Sequence, residues 1–195
     1  MTATAVDLDG RRLRRERNRD AVLDALVDLY GEGNFDPSAD DIAQRAGLSP
    51  RSLFRYFDDV DDLNRAAIQR QLDRARPLLD PGVKADAATP AKIEALVEAR
   101  MRLYETIAPS ARSARACAHR HQLIAAQVDQ SRSYLRSQVR RLFGPELTGD
   151  RAALLPAIDA LLSFESYDLL RRDQGLSRPK TVAALTAALN ALLSR

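Results

Sequence analysis

Apolar residues recur at three- and four-residue intervals along nearly the whole chain. That is the period of helices buried on one face. Sustained two-residue alternation, Asn-Gly hairpin turns and long β-branched runs are absent, so the expected fold class is all-α. The pattern resolves into about nine helices. The first covers about 12–31, with Val22, Leu26 and Leu29 on its inner face and Gly31 and Gly33 as its stop. Three segments follow, at 40–46, 50–57 and 59 to about 76. Ser38 and Ser49 suit N-caps for the first two, Pro50 suits a first helical position, and Pro77 halts the third. Residues 80–90 read as a connector. Thr89 then caps a fifth helix to about 107, and Pro109 opens a short sixth through 117. A long seventh spans about 120–143, with Ile124, Val128, Leu135, Val139 and Leu142 in a stripe. Asp150 caps an eighth to 173, with a kink or register shift at Pro156, and Ser177 caps a ninth. The expected organisation is a head at 11–58 and a larger regulatory and dimerisation body at 59–195.

Composition narrows the possibilities. A hydrophobic fraction of 45% supports a sizeable core. No apolar run approaches the roughly 18 residues of a membrane span, and the first ten residues lack an apolar stretch of signal type. A cytoplasmic location without membrane association is the expectation. The single cysteine, Cys117, can form neither an internal disulfide nor a zinc site alone. Neither a cofactor motif nor a metal cluster is evident, so no cofactor or metal is expected. A thiol enzyme built on Cys117 with His119 or His121 is disfavoured, because residues two apart diverge on a helix. The chain is read as a non-enzyme.

Net charge is +3, but it is unevenly distributed. Residues 1–75 hold 12 arginines against 15 acids, while the remainder carries the positive excess. Six of the nine residues from Arg11 to Arg19 are arginine. Asp20, Asp24 and Asp28 form a separate helical stripe, and Asp58, Asp59, Asp61 and Asp62 gather at a helix start, where the dipole favours them. Segregation rather than net charge is the informative property.

Residues 39–56 read Ala-Asp-Asp-Ile-Ala-Gln-Arg-Ala-Gly-Leu-Ser-Pro-Arg-Ser-Leu-Phe-Arg-Tyr. A steep crossing of two short helices needs a small residue, supplied by Ala43, and a turn residue tolerant of left-handed backbone, supplied by Gly47. Ile42, Ala46, Leu48 and Leu53 would lock the pair together, and Ser49 would cap a second helix whose N-terminus can face phosphate and base edges. With Leu53-Phe54-Arg55-Tyr56-Phe57 following, the segment from Arg17 to about Leu72 resembles the head of tetracycline-repressor (TetR) family transcriptional regulators. Phe54 stands where the family usually has tyrosine, Tyr56 where it usually has histidine, and Val60 where a lysine is common.

The resemblance implies a DNA-binding helix-turn-helix protein, commonly a repressor released from a palindromic operator by a small effector. Arg51 and Ser52 would enter the major groove, Arg51 offering paired donors to guanine, with Pro50 beside them and Arg55 one turn on. Ser38, Ser49 and Tyr56 are phosphate-contact candidates, together with Arg11, Arg12, Arg14 and Arg15 as a mobile arm. Phe54 and Phe57 are expected in the core. Leu154, Leu161 and Phe164, with Val182, Leu185, Leu189 and Leu192, form apolar faces that exceed the needs of one small body. An isologous homodimer would cover the surplus. A family-type effector cavity would be lined by Tyr104, Arg112, Cys117, His119 and Tyr167. The competing reading is a helical interaction or dimerisation module whose head no longer binds DNA.

Overall fold

The computed structural model describes residues 5–34 and 36–193. Among these residues the chain is all-helical, with nine α-helices and no strands. They are α1 (Ala5–Gly31), α2 (Ala39–Arg45), α3 (Pro50–Leu53), α4 (Val60–Ala75), α5 (Thr89–Cys117), α6 (Gln122–Leu142), α7 (Leu155–Leu161), α8 (Phe164–Asp168) and α9 (Arg178–Leu193). The chain divides into two compact units: Met1–Leu72 with Pro109–Ala125, and Asp73–Ala108 with Ala126–Arg195.

In the first unit, α1 begins well before residue 12. Leu13, Arg12, Arg14, Arg15 and Glu16 are good helix formers, and an Arg12–Glu16 pair at 3.8 Å adds support one turn apart. The expected mobile arm is therefore helix. The side chain of Arg11 lies outside the described residues. Val22, Leu26 and Leu29 pack against Ile42 and Ala43 of α2, Leu53 of α3, and Leu63 and Ala67 of α4. Phe57 joins this core, but Phe54 is 47% exposed. The reason is that α3 stops at Leu53 instead of reaching residue 57. Leu53 and Phe57 lie four residues apart and face inward, which turns Phe54 out. The aspartate stripe on α1 has a structural partner: Arg70 of α4 donates to Asp20 (2.6 Å) and Asp24 (2.7 Å).

Within this unit Tyr30 has its pKa pushed up to about 12, chiefly by burial and next by neighbouring Cys117, against a hydrogen bond with Ser113.

The expected fifth and sixth helices are one helix, with Pro109 inside it. A proline in a helix interior removes one backbone hydrogen bond at about 3 kcal/mol, but helix formers extend on both sides. The boundary between the compact units falls at this proline. Conversely, the expected eighth helix is broken. A 3-10 segment covers Gly149–Leu154 with no side-chain cap, and α7 follows with Pro156 in its first turn. The chain then stops at Leu162 and restarts as α8, capped by Ser163, before a π-helical turn at Leu169–Asp173.

The break at Ser163 exposes a backbone carbonyl inside the second unit. Ser166 N–H bonds to the Ser163 hydroxyl (3.1 Å) rather than to Leu162. The Leu162 carbonyl instead accepts from Tyr104 Oη at 2.7 Å. Tyr104 also meets Phe164 edge-on at 5.6 Å and Tyr167 at 5.5 Å. Two cations are buried in this unit. Lys92 pairs with Glu146 (2.5 Å) and donates to the last carbonyl of α6, that of Leu142 (3.2 Å). Thr89, instead of capping α5, donates to the same carboxylate (2.7 Å). Burial alone would raise the Glu146 pKa, but hydrogen bonds from Lys92 and Thr89 outweigh it and hold the group low. Arg100, 2% exposed, donates to Gln138 Oε1 (2.7 Å) and the Leu135 carbonyl (3.1 Å). Desolvation lowers its pKa.

Candidate nucleic-acid interface

The helix pair at 39–53 is built by its ends. Ser38 and Asp41 form a complete capping box on α2: Asp41 N–H donates to Ser38 Oγ (3.2 Å) and Ser38 N–H to Asp41 Oδ2 (2.9 Å). The Ser38 hydroxyl, and after it the Ser38 N–H, donate to the Asp41 carboxylate and hold it below its usual pKa. At the other end of α2, Leu48 N–H reaches the Ala43 carbonyl (2.8 Å) and Gly47 N–H the Gln44 carbonyl (3.1 Å). This double closure requires a left-handed residue, and Gly47 supplies it at φ +68°. Ala43, at 0% exposure, lets the helices cross closely. Arg45 closes the flank with two bonds to Glu32 (2.8 and 2.5 Å), which lower the glutamate pKa and raise that of the arginine.

The start of α3 faces outward. Ser49 caps it, accepting from Ser52 N–H (3.2 Å), with the two hydroxyls 2.9 Å apart. Pro50, Arg51 and Arg55 are exposed, and Ser52 is half-buried. The Ser38 hydroxyl donates to Asp41 Oδ2 (2.7 Å), so a phosphate would have to draw it away. Beside α3 lies an open groove of about 490 Å³ lined by Arg14, Arg15, Asn18, Arg55 and Tyr56. Asn18 donates to the Tyr56 hydroxyl at 2.7 Å. Arg12 stays near Glu16 on α1. The acids at the start of α4 are occupied by their own backbone: Asp62 N–H donates to Asp59 (2.6 Å) and Asp58 N–H to Asp62 (3.1 Å).

Asn18, Arg70 and the Arg45–Glu32 pair were not singled out from the sequence. Asn18 lies 38 residues from Tyr56, and no local spacing announces that contact. Its only sequence signal is a position one turn beyond Arg14 and Arg15.

Residues 22–67 match the family model described as bacterial regulatory proteins, tetR family. The head is a tetR-family domain. The fold of the whole chain is shared as well. A TetR-family transcriptional regulator from Rhodococcus sp. superposes with a TM-score of 0.66 at 20% identity, over 91% of this chain and 100% of that one. A transcriptional regulator from Streptomyces coelicolor A3(2) gives 0.65 at 22% identity, over 92% and 99%. A TetR-family regulator from Mesorhizobium loti gives 0.62 at 18%, over 93% and 97%. Among curated proteins, none matches the chain.

In this TetR-type head the three departures take on geometry. Phe54 presents a bare ring to solvent, and Val60 is 51% exposed. Tyr56 is half-buried, with its oxygen engaged by Asn18.

The remaining candidates distribute as follows. Tyr104 and Tyr167 are buried together in the second unit, whereas Arg112, Cys117 and His119 belong to the first. Cys117 is buried and His119 exposed. Phe164, Leu185 and Leu189 are buried within the second unit, while Leu154, Leu161, Val182 and Leu192 remain partly exposed. Beyond its first turn, where Pro179 and Lys180 are exposed, the outward positions of α9 are small: Ala183, Ala184, Ala187 and Ala191. Among the described residues, no helix is long and apolar enough to cross a membrane, and no group of three His, Cys, Asp or Glu side chains could hold a metal.

Proposed function

We propose that the protein is a sequence-specific transcriptional repressor that binds a palindromic operator as a homodimer and is released by a small-molecule effector. One observation carries the DNA-binding part: a capped α3 start with Pro50 and Arg51 exposed, beside a groove holding three arginines. Arg51 reads base edges; Arg14, Arg15, Arg55 and Tyr56 hold backbone phosphates, with Ser38 and Ser49 at the helix ends. The partly exposed Leu154, Leu161, Val182 and Leu192, with the alanine face of α9, suit a close isologous helix contact. Two heads so related would read half-sites roughly 34–36 Å apart, or a multiple of that. The effector reading rests on the fold resemblance alone; Tyr104 and Tyr167, expected to line a cavity, are buried against each other.

The test is selection of binding sequences from random duplexes, followed by anisotropy titrations at several salt concentrations. A palindromic consensus, a steep salt slope and a large preference over random DNA are expected. Titration against metabolite pools then identifies an effector by loss of binding. Equal, weak binding to every duplex would overturn the proposal in favour of a second reading, an interaction module with a degenerate head. The observation favouring that reading is the acidic start of α4, where Asp58, Asp59 and Asp62 surround an exposed Val60.

A further inference from the structure

We infer that Asn18 is a positioning residue for DNA binding: it fixes the Tyr56 hydroxyl so that its proton is directed to a backbone phosphodiester held in the groove of Arg14, Arg15 and Arg55. This rests on the DNA-binding reading above and deepens it.

A phenol hydroxyl both donates and accepts. The Tyr56 oxygen already accepts from Asn18 Nδ2 at 2.7 Å. An amide nitrogen offers no lone pair to receive the phenol's hydrogen, so that hydrogen must find another acceptor. The groove around it is lined by Arg14, Arg15, Asn18, Arg55 and Tyr56. The three guanidiniums are donors only, and besides the Tyr56 oxygen, already taken by Asn18, the Asn18 carbonyl oxygen is the one side-chain acceptor in this lining. Among the described residues, no carboxylate pairs with Arg14, Arg15 or Arg55. The site is thus a set of convergent donors without a counter-anion of its own, and a phosphodiester supplies both the charge and the acceptors.

The Asn18 bond also stops the ring hydroxyl from turning toward solvent. Asn18 and Tyr56 are both half-buried, which keeps this contact from simple competition with bulk water. The role is directional. Tyr56 makes the contact, and Asn18 determines where the contact points.

The experiment is a double-mutant cycle on the full chain, with a duplex drawn from the selection described above. Asn18→Leu, Tyr56→Phe and the double variant are titrated by anisotropy. Each single change should weaken binding by about three- to tenfold, the range of one hydrogen bond made or lost. Asn18→Leu should then have no further effect in the Tyr56→Phe background. Neither change should alter the salt slope, because both groups are neutral, whereas Arg14→Gln should reduce it by about one.

A second measurement avoids dependence on the Asn18 variant folding. Wild type and Tyr56→Phe are titrated against duplexes carrying one methylphosphonate at a time. One position should weaken the wild type clearly more than it weakens Tyr56→Phe, the loss common to both being that of the arginine contacts to the same phosphate. Additive losses in the cycle, an unchanged Asn18→Leu, or no such phosphate position would overturn the inference while leaving DNA binding intact. Failure of the wild type to bind any selected duplex would instead remove the reading on which it rests.

Discussion

The two units treat positive charge in opposite ways. In the head, Arg51 and Arg55 stand exposed beside a groove shared with Arg14 and Arg15. In the other unit, Lys92 and Arg100 are almost wholly buried, and their bonds to Ala85, Leu142, Glu146, Leu135 and Gln138 all lie inside that unit. A cation left in water keeps its hydration until a partner arrives. A buried one has already lost its hydration and depends on fixed neighbours. Under the proposed function, positive side chains would serve recognition in one region, while in the other they serve architecture.

Five changes would break or sharpen that contrast, taken from the largest effect downward. Lys92→Ala should destabilise the fold by about 2–5 kcal/mol, because the buried volume of the side chain is emptied and half-buried Glu146 loses its cation; denaturant unfolding reads this. If the melt barely moves, the buried pair does not support the unit. Arg51→Ala should cost about 1–3 kcal/mol in operator binding and relax one base position, with an unchanged melting curve. A shifted melt with intact binding would reverse the roles assigned to the two regions. Tyr104→Phe should destabilise by about 1–2 kcal/mol, since the Leu162 carbonyl at the helix break loses its donor. DNA affinity at a temperature well below the melt should not change.

The smallest effect is a pH dependence. Asp41 has a lowered pKa in the folded head. Its contribution is therefore present above the unfolded carboxylate value and is lost as pH falls through the folded one. Acid titration of Asp41→Asn should show a flatter stability profile than wild type over that range. Tyr30 gives the alkaline counterpart. With a folded pKa near 12 against an ordinary 10.0, the unfolded chain loses this proton first, so stability should fall between those values. Tyr30→Phe should remove that part of the alkaline slope.

Local chemistry was legible in the sequence. Ser38, Gly47, Ser49 and Pro50 each act within a few residues of themselves, and each takes its expected place. The inner faces of α1 and α2 followed from spacing alone. Phe54 was misread because only one of two phenylalanines three residues apart reaches the core, and α3 stops at Leu53, a turn before its pattern suggested. Pro109 was misread as a helix start because a single proline marks an interruption whether or not the helix runs on. The break at Ser163 was missed for a related reason: its stabilising partner, Tyr104, lies 58 residues from Leu162. In the candidate site, the arginines were visible as a charge run, but their groove was not. It depends on α1 continuing through residues expected to be an arm, and on Asn18 meeting Tyr56.

The forked contact of Arg70 has a mechanical consequence. One guanidinium is tied to two carboxylates a turn apart on α1, so a roll of α4 at that point would break two ion pairs at once or carry α1 with it. The surface that carries Arg14 and Arg15 is thereby geared to α4 instead of sliding past it. Loosening this strut with Arg70→Met would let the helices slip, and the spread of groove shapes, rather than the strength of any one contact, would be what the DNA experiences.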